Sequence, residues 1–379
     1  MKYCPDVWKS LYVEKKTNES IAFGFCCQNA TETVTDYQHL DQLREAKQQN
    51  FNNQKNALQC NNCWKIEDRN KNSRRHAIIE WFTNNQISTD NTTELISLDW
   101  NSENVCNLAC ITCGPKFSSR WSQEITKYSF KDQHTYSNSH NNNFWKTLDY
   151  SKLRRIYFNG GEPLLVDDHI NILTHLDKIG QLSNVEVQYN TNCTIIPNDN
   201  IMRLWDKAKL VRLYLSIDAT NKEFEFIRYP ASWAQVLEFS KFLNQSTVNI
   251  INDITCTVGI HNILELDNLI EWQQKYLPTN NQGDVTSINF QLVGPISHGG
   301  ALLDLAGLSP ELATNICDQL THIKTQSFWP VIKDKLVIAH GKNNWKLYLD
   351  ELSIRRNLNW QLRLPKLFHS LSNCQNSGI

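Results

Sequence analysis

Residues 95–113 read LISLDWNSENVCNLACITC, a short β-like run that opens directly into a loop carrying Cys106, Cys110 and Cys113. Beyond that loop the chain repeats the order strand, loop, helix. Further β-like runs lie at 155–158, 185–190, 211–217, 252–258 and 287–292, and helical spacing occurs between them at 116–128, 168–179, 200–208, 233–244 and 264–276. Strands alternating with helices of that length make βα units and a parallel sheet. Six strands with crossover helices predict an α/β fold, a partial (β/α)6 TIM-like barrel rather than a closed eight-stranded one. In such a barrel ligands sit where the strands end, and that is where the three cysteines stand.

Outward from this core, residues 10–27 read as a hairpin: Leu11, Tyr12 and Val13, a polar turn at 17–20, then Ile21, Ala22 and Phe23. It brings Cys26 and Cys27 level with Cys4. The polar stretch 36–56 carries Leu40, Leu43 and Ala46 at helical spacing and leads to Cys60 and Cys63. Residues 309–371 read as three helical pieces. The expected organisation is a small N-terminal cysteine-rich hairpin module (1–93), the barrel (94–300) and a helical C-terminal segment (301–379).

Composition narrows the function. With 38 Lys+Arg against 39 Asp+Glu the net charge is -1, so nothing in the overall charge attracts nucleic acid or an anionic membrane, and neither is an expected partner. A hydrophobic fraction of 40% and 12 Trp exclude a disordered chain. No apolar run approaches the ~18 residues of a membrane span, and a start carrying Asp6, Lys9, Glu14 and Lys15 reads as neither signal peptide nor span. Reducing, cytoplasmic surroundings are therefore expected, in which the 12 cysteines serve as ligands before they form disulfides.

Three thiolates spaced Cys106-x3-Cys110-x2-Cys113 can hold three irons of a [4Fe-4S] cubane and leave the fourth open to a substrate or cofactor. Zinc would need a fourth ligand nearby, and His76 and His134 stand at no finger spacing; free thiols are the remaining reading. The second strand ends in Asn159-Gly160-Gly161-Glu162-Pro163, where two glycines permit close approach of the backbone and Glu162 places an acceptor beside it. Alone, that motif reads as an ordinary strand-to-helix turn.

Together these motifs resemble the radical S-adenosylmethionine (radical SAM) superfamily. The resemblance implies that Cys106, Cys110 and Cys113 ligate a [4Fe-4S] cluster and that Gly160, Gly161 and Glu162 contact S-adenosylmethionine. Asn190-Thr191-Asn192 and Ser216-Ile217-Asp218-Ala219 are similar to the family's later strand ends, which makes Asn190, Asn192, Ser216 and Asp218 cofactor contacts as well. Arg228 is a candidate for the cofactor carboxylate, because a guanidinium suits bidentate recognition, with a surface charge or helix cap as its bland reading. Two positions depart from the family: Thr112 stands where a bulky apolar residue is usual, and Cys193 where glycine is frequent.

The N-terminal segment resembles, more loosely, an auxiliary-cluster module of the twitch or SPASM kind, through Cys4 with Trp8, Cys26-Cys27, and Cys60-x2-Cys63-Trp64 with Glu67 and Arg74. Four thiolates from Cys4, Cys26 or Cys27, Cys60 and Cys63 would complete an auxiliary iron-sulfur cluster; a structural zinc or a metal-free hairpin are the other readings. The activity so implied is that of an oxidoreductase-type enzyme cleaving S-adenosylmethionine reductively to a 5'-deoxyadenosyl radical, which takes hydrogen from a peptide or protein side chain. A reducing donor such as flavodoxin or ferredoxin would supply the electron. No side chain stands out as a proton-transferring catalytic residue. A small-molecule modifier, an activase, or a non-catalytic metal-stabilised binding module are the alternatives.

Overall fold

The parallel strands expected from the apolar runs are all present. In this computed structural model residues 3–15, 21–27, 32–34, 40–52, 57–68, 73–101, 103–127, 143–280, 282–294 and 301–376 are described; the turn at 17–20, residues 36–39 and 53–56 of the polar stretch, and Tyr128 lie outside them. Among the described residues nine strands, β1 (Ser10–Lys15), β2 (Ile21–Gly24), β3 (Glu32–Val34), β4 (Ser97–Asn101), β5 (Arg155–Asn159), β6 (Glu186–Thr191), β7 (Leu210–Ser216), β8 (Ile250–Val258) and β9 (Ile288–Leu292), form one sheet in the order β3-β2-β1-β4-β5-β6-β7-β8-β9. From β4 to β9 that order follows the chain, and β4–β5, β5–β6 and β8–β9 pair in parallel. Among the described residues β3 and β9 are the edges of an open sheet, a partial TIM-like α/β barrel followed by a helical C-terminal part.

The hairpin β1–β2 is antiparallel as expected, but β1 also pairs in parallel with β4, Leu11 opposite Leu98 and Val13 opposite Trp100. It thereby extends the sheet. Residues 10–14 are buried without alternation, the pattern of a strand covered on both faces, where periodicity cannot reveal which neighbour it takes. The helix Leu40–Asn52 matches the spaced Leu40, Leu43 and Ala46.

The chain forms two compact units. The first comprises Met1–Glu103, Tyr136–Tyr189 and Asn200–Val211, the second Asn104–Thr135, Asn190–Asp199 and Arg212–Ile379. In the first, Trp100 stacks on Phe144 and Phe158 on Tyr189. The Tyr189 hydroxyl accepts from Trp205 Nε1 at 3.3 Å and is hydrogen-bonded to His169 Nδ1 at 2.9 Å. In the second, β8 alternates strictly, turning Ile250, Ile254, Cys256 and Val258 inward, and a capping box of Ser232 and Gln235 starts the helix Trp233–Gln245 that covers apolar surface with Val236, Phe239 and Leu243. Among the described residues the C-terminal part holds four helices of nine or more residues rather than three: Pro310–Gln319, Trp329–Val337, Trp345–Arg356 and Pro365–Asn376, with the short Trp360–Arg363 between the last two. Proline stands at or next to the start of the first, second and fourth, where its missing N–H costs nothing, and Asn357 in the left-handed region (φ 52°) ends the third. No helix among the described residues is long and apolar enough to cross a membrane.

Candidate functional site

Within the first unit β4 and β5 end level with each other, Asn101 opposite Asn159. Gly160 follows at φ 130°, and a Cβ there would stand 2.4 Å from the Glu103 carbonyl oxygen and 3.2 Å from Asn101 Oδ1. Only glycine fits so close an approach. The Gly161 N–H donates to the same Glu103 oxygen at 3.0 Å. Glu162, wholly buried, accepts from the Leu164 N–H at 3.2 Å and caps the short turn Pro163–Leu165.

In the second unit Cys106, Cys110 and Cys113 are half-buried. Burial pushes the Cys110 and Cys113 thiols up; at Cys110 the guanidinium groups of Arg228 and Arg356 oppose that rise. At Cys113 the neighbouring Cys110 and, less, Cys106 add to it. Donors turn toward two of them. The Leu108 N–H lies 3.4 Å and Asn192 Nδ2 3.9 Å from Cys106 Sγ, and Arg228 Nη1 lies 3.9 Å from Cys110 Sγ. Hydrogen-bond donors and cations around sulfur favour the thiolate, the form that ligates metal, so this donor set fits an anionic iron-sulfur cluster.

The later strand-end residues meet one another within the second unit. Asn192, just past the end of β6, donates at 2.9 Å to Asn107 Oδ1 inside the cysteine loop, and Asn107 donates at 2.8 Å to Thr194. Asp218, beyond β7, is wholly buried: one carboxylate oxygen accepts the Thr257 N–H at 2.8 Å, the other stands 2.8 Å from Arg228 Nη2. Arg228 is thus a buried ion-pair partner of Asp218 and a neighbour of Cys110 rather than a surface charge. Asn190 and Ser216 are half-buried near the ends of their strands. Cys193 holds φ 62°, the left-handed region, and its buried thiol donates to Thr191 O at 3.7 Å. The backbone geometry explains why glycine suits that position.

Residues 100–272 match the family description Radical SAM superfamily. That stretch is the radical SAM domain of this chain. No curated protein matches it. Among solved structures it is similar to anSMEcpe with bound AdoMet and a Kp18Cys peptide (14% identity, 52% of this chain and 51% of that one, TM-score 0.35). It is also similar to Streptococcus suis SuiB bound to S-adenosylmethionine (14%, 61% and 45%, TM-score 0.36) and to SuiB bound to the precursor peptide SuiA (11%, 86% and 70%, TM-score 0.38). The chain spans about half the length of the first two.

Ahead of the radical SAM domain, the first unit gathers the N-terminal cysteines. Cys60 and Cys63 lie one turn apart on the helix Ala57–Glu67, and Cys4 and Cys60 both pack against Val7, Trp8, Phe25 and Phe51. Burial, then Asp6, drives the Cys4 thiol well above its usual range, and Cys26 and Cys60 add smaller contributions. Cys26 is half-buried, whereas Cys27 is exposed. Arg75 donates to Glu67 at 2.7 and 2.9 Å and to the Tyr3 carbonyl at 2.8 Å, and its charge bears on Cys4 and Cys63. Arg74 pairs with Asp99 of β4 at 2.9 Å and reaches Asp6 at 3.6 Å. Among the described residues no three His, Cys, Asp or Glu side chains stand as a single metal ion requires.

Proposed function

We propose that this chain is a radical S-adenosylmethionine enzyme that takes hydrogen from a peptide or protein side chain. The observation that carries the reading is the three-cysteine loop, with the Leu108 N–H and Asn192 turned toward the Cys106 sulfur and the Arg228 guanidinium toward that of Cys110. Cys106, Cys110 and Cys113 would hold the [4Fe-4S] cluster. Gly160, Gly161 and Glu162 would meet S-adenosylmethionine, with Asn190, Asn192 and Ser216 as further contacts. When bound, cluster and cofactor supply one-electron reductive cleavage to methionine and a 5'-deoxyadenosyl radical. The protein's own share falls to its side chains. Asn192 and Arg228 stabilise the ligating thiolates, Asn107 holds Asn192 in place, and Asp218 holds Arg228.

The resemblance of the N-terminal cysteines to twitch and SPASM modules supports an auxiliary iron-sulfur cluster over residues 1–93, and with it the peptide substrate. Cys4, Cys26, Cys60 and Cys63 are its ligands in this reading, Cys26 being preferred to the exposed Cys27. The barrel (94–300) and the helical segment (301–379) complete the chain, which works in the cytoplasm with flavodoxin or ferredoxin as electron donor.

The test is anaerobic reconstitution with iron and sulfide, then dithionite and S-adenosylmethionine, comparing wild type with a C106A/C110A/C113A variant. 5'-Deoxyadenosine from wild type alone is the expected result; none from a wild type with its cluster loaded would overturn the reading. Iron retained by the triple variant should fall in a further C26S change and not in C27S, and zinc in place of iron and sulfide would refute the auxiliary cluster.

A further inference from the structure

The loop that carries Cys106, Cys110 and Cys113 is held by a hydrogen-bond frame, half of which comes from far along the chain. Four consecutive carbonyls each accept from a side chain. Leu108 O accepts from Ser118 Oγ at 2.5 Å, and Cys110 O from Trp121 Nε1 at 2.7 Å, both donors lying just beyond the loop. Ala109 O and Ile111 O, the carbonyls on either side of Cys110, accept from Arg356 Nη2 at 2.8 Å and Tyr348 Oη at 2.7 Å. Two loop amides are also engaged, Ala109 N–H with Tyr229 O at 2.6 Å and Ile111 N–H with Ile227 O at 2.8 Å.

Tyr348 and Arg356 lie two turns apart on one side of the helix Trp345–Arg356, whose Trp345, Leu349 and Leu352 are buried. Arg356 is itself locked. Its side chain is 1% exposed, Nε stands 3.2 Å from both Glu124 oxygens, and the guanidinium lies 5.1 Å from the Trp121 ring centre and 4.9 Å from that of Tyr229. A cation between two aromatic faces and a carboxylate has little freedom, so it holds the Ala109 carbonyl in one place. Simple helix packing would bury apolar area without meeting two alternate carbonyls of a ligand loop, which would then be left without partners.

We propose that the helix Trp345–Arg356 is a clasp that keeps the three-cysteine loop in its ligating shape before any metal arrives, with Tyr348 and Arg356 as its positioning residues. The inference rests on the reading of that loop as the cluster site. Ordering the loop in advance removes that cost from cluster assembly. The helical C-terminal segment becomes part of the cluster site without supplying a ligand.

Full-length, metal-free protein under anaerobic conditions is the material for the test. Hydrogen exchange is followed in loop peptides of wild type, Y348F, R356K and R356M. R363M, which breaks the Arg363–Glu225 pair at 3.0 Å, serves as a control from the same segment. Loop exchange should quicken by roughly tenfold in Y348F, the scale of one lost hydrogen bond, and further in R356M. It should be intermediate in R356K and unchanged in R363M. Iron and sulfide uptake should slow in the same order. Y348F removes one hydroxyl and decides the matter even if R356M fails to fold. Loop exchange equal to wild type in Y348F and R356K would overturn the clasp. A clasp-dependent loop that never takes up iron would instead overturn the cluster reading and leave the clasp standing.

Discussion

Removing Arg228 should unsettle the protein through Asp218, before any cofactor is considered. The pair stands at 2.8 Å with Asp218 wholly buried and Arg228 9% exposed, and the carboxylate also accepts the Thr257 N–H at 2.8 Å. Breaking a buried pair from one side costs about 3–5 kcal/mol, because the survivor keeps a buried charge. The two sides differ: in R228M the Asp218 carboxyl, already pushed up by burial, can shed its charge by taking a proton, whereas in D218N the guanidinium cannot. R228M should therefore fall near the lower end, about 3 kcal/mol, and D218N nearer 5. In D218N/R228M no charge is left unpaired and the amide oxygen can still meet the Thr257 N–H, so the double variant should cost no more than the worse single, a coupling of about 3 kcal/mol. Anaerobic urea denaturation of the four metal-free proteins measures the cycle. Additive costs, or an R228M within about 1 kcal/mol of wild type, would refute the ion-pair account and return Arg228 to the role of a free cofactor-carboxylate ligand, whose loss lowers S-adenosylmethionine affinity alone.

Two further outcomes concern the first unit. G160A places a Cβ 2.4 Å from the Glu103 oxygen at φ 130° and should cost roughly 2–4 kcal/mol, combining backbone strain with loss of the Gly161 N–H bond; a change below about 0.5 kcal/mol in urea denaturation would contradict the close approach. Burial holds His169 at about 3, far below its usual value, with Nδ1 engaged by Tyr189 and Nε2 buried without a partner. Below the unfolded value near 6.5 the unfolded chain binds a proton that the folded one refuses, so stability is full above that pH and falls as acid is added down to about 3. At pH 5 the loss from this one group is about 2 kcal/mol, and H169Q should be less acid-sensitive than wild type by that amount between pH 7 and 5. Equal acid sensitivity in the two proteins would show that His169 is protonated in the fold.

The strands β4 to β9 were legible because buried parallel strands read as apolar runs, and the three-cysteine motif stands out in the sequence because its thiols sit at short, fixed spacings. Neither kind of signal extends to tertiary choices. Nothing in Leu11-Tyr12-Val13 says that β1 will lie beside β4, since a strand covered on both faces gives its partners no distinguishing pattern. Arg228 is read from sequence as a ligand-binding cation, yet the group it meets in the structure is Asp218, a short way back along the same chain. Cys193 looks like a small buried residue, and its left-handed backbone emerges only when the turn is seen. Ser118 and Trp121 follow the cysteine loop closely enough for a local reading to have found them, whereas Tyr348 and Arg356 carry no such mark on a helix whose Trp345, Leu349 and Leu352 already account for its pattern. The asymmetry has a chemical origin. An iron-sulfur cluster is held chiefly by cysteine thiolates, which mark a sequence, but a carbonyl oxygen accepts from serine, tryptophan, tyrosine or arginine alike. The groups that make a ligand loop rigid are therefore free to come from any type of donor and any distance along the chain, and only the folded structure reveals them.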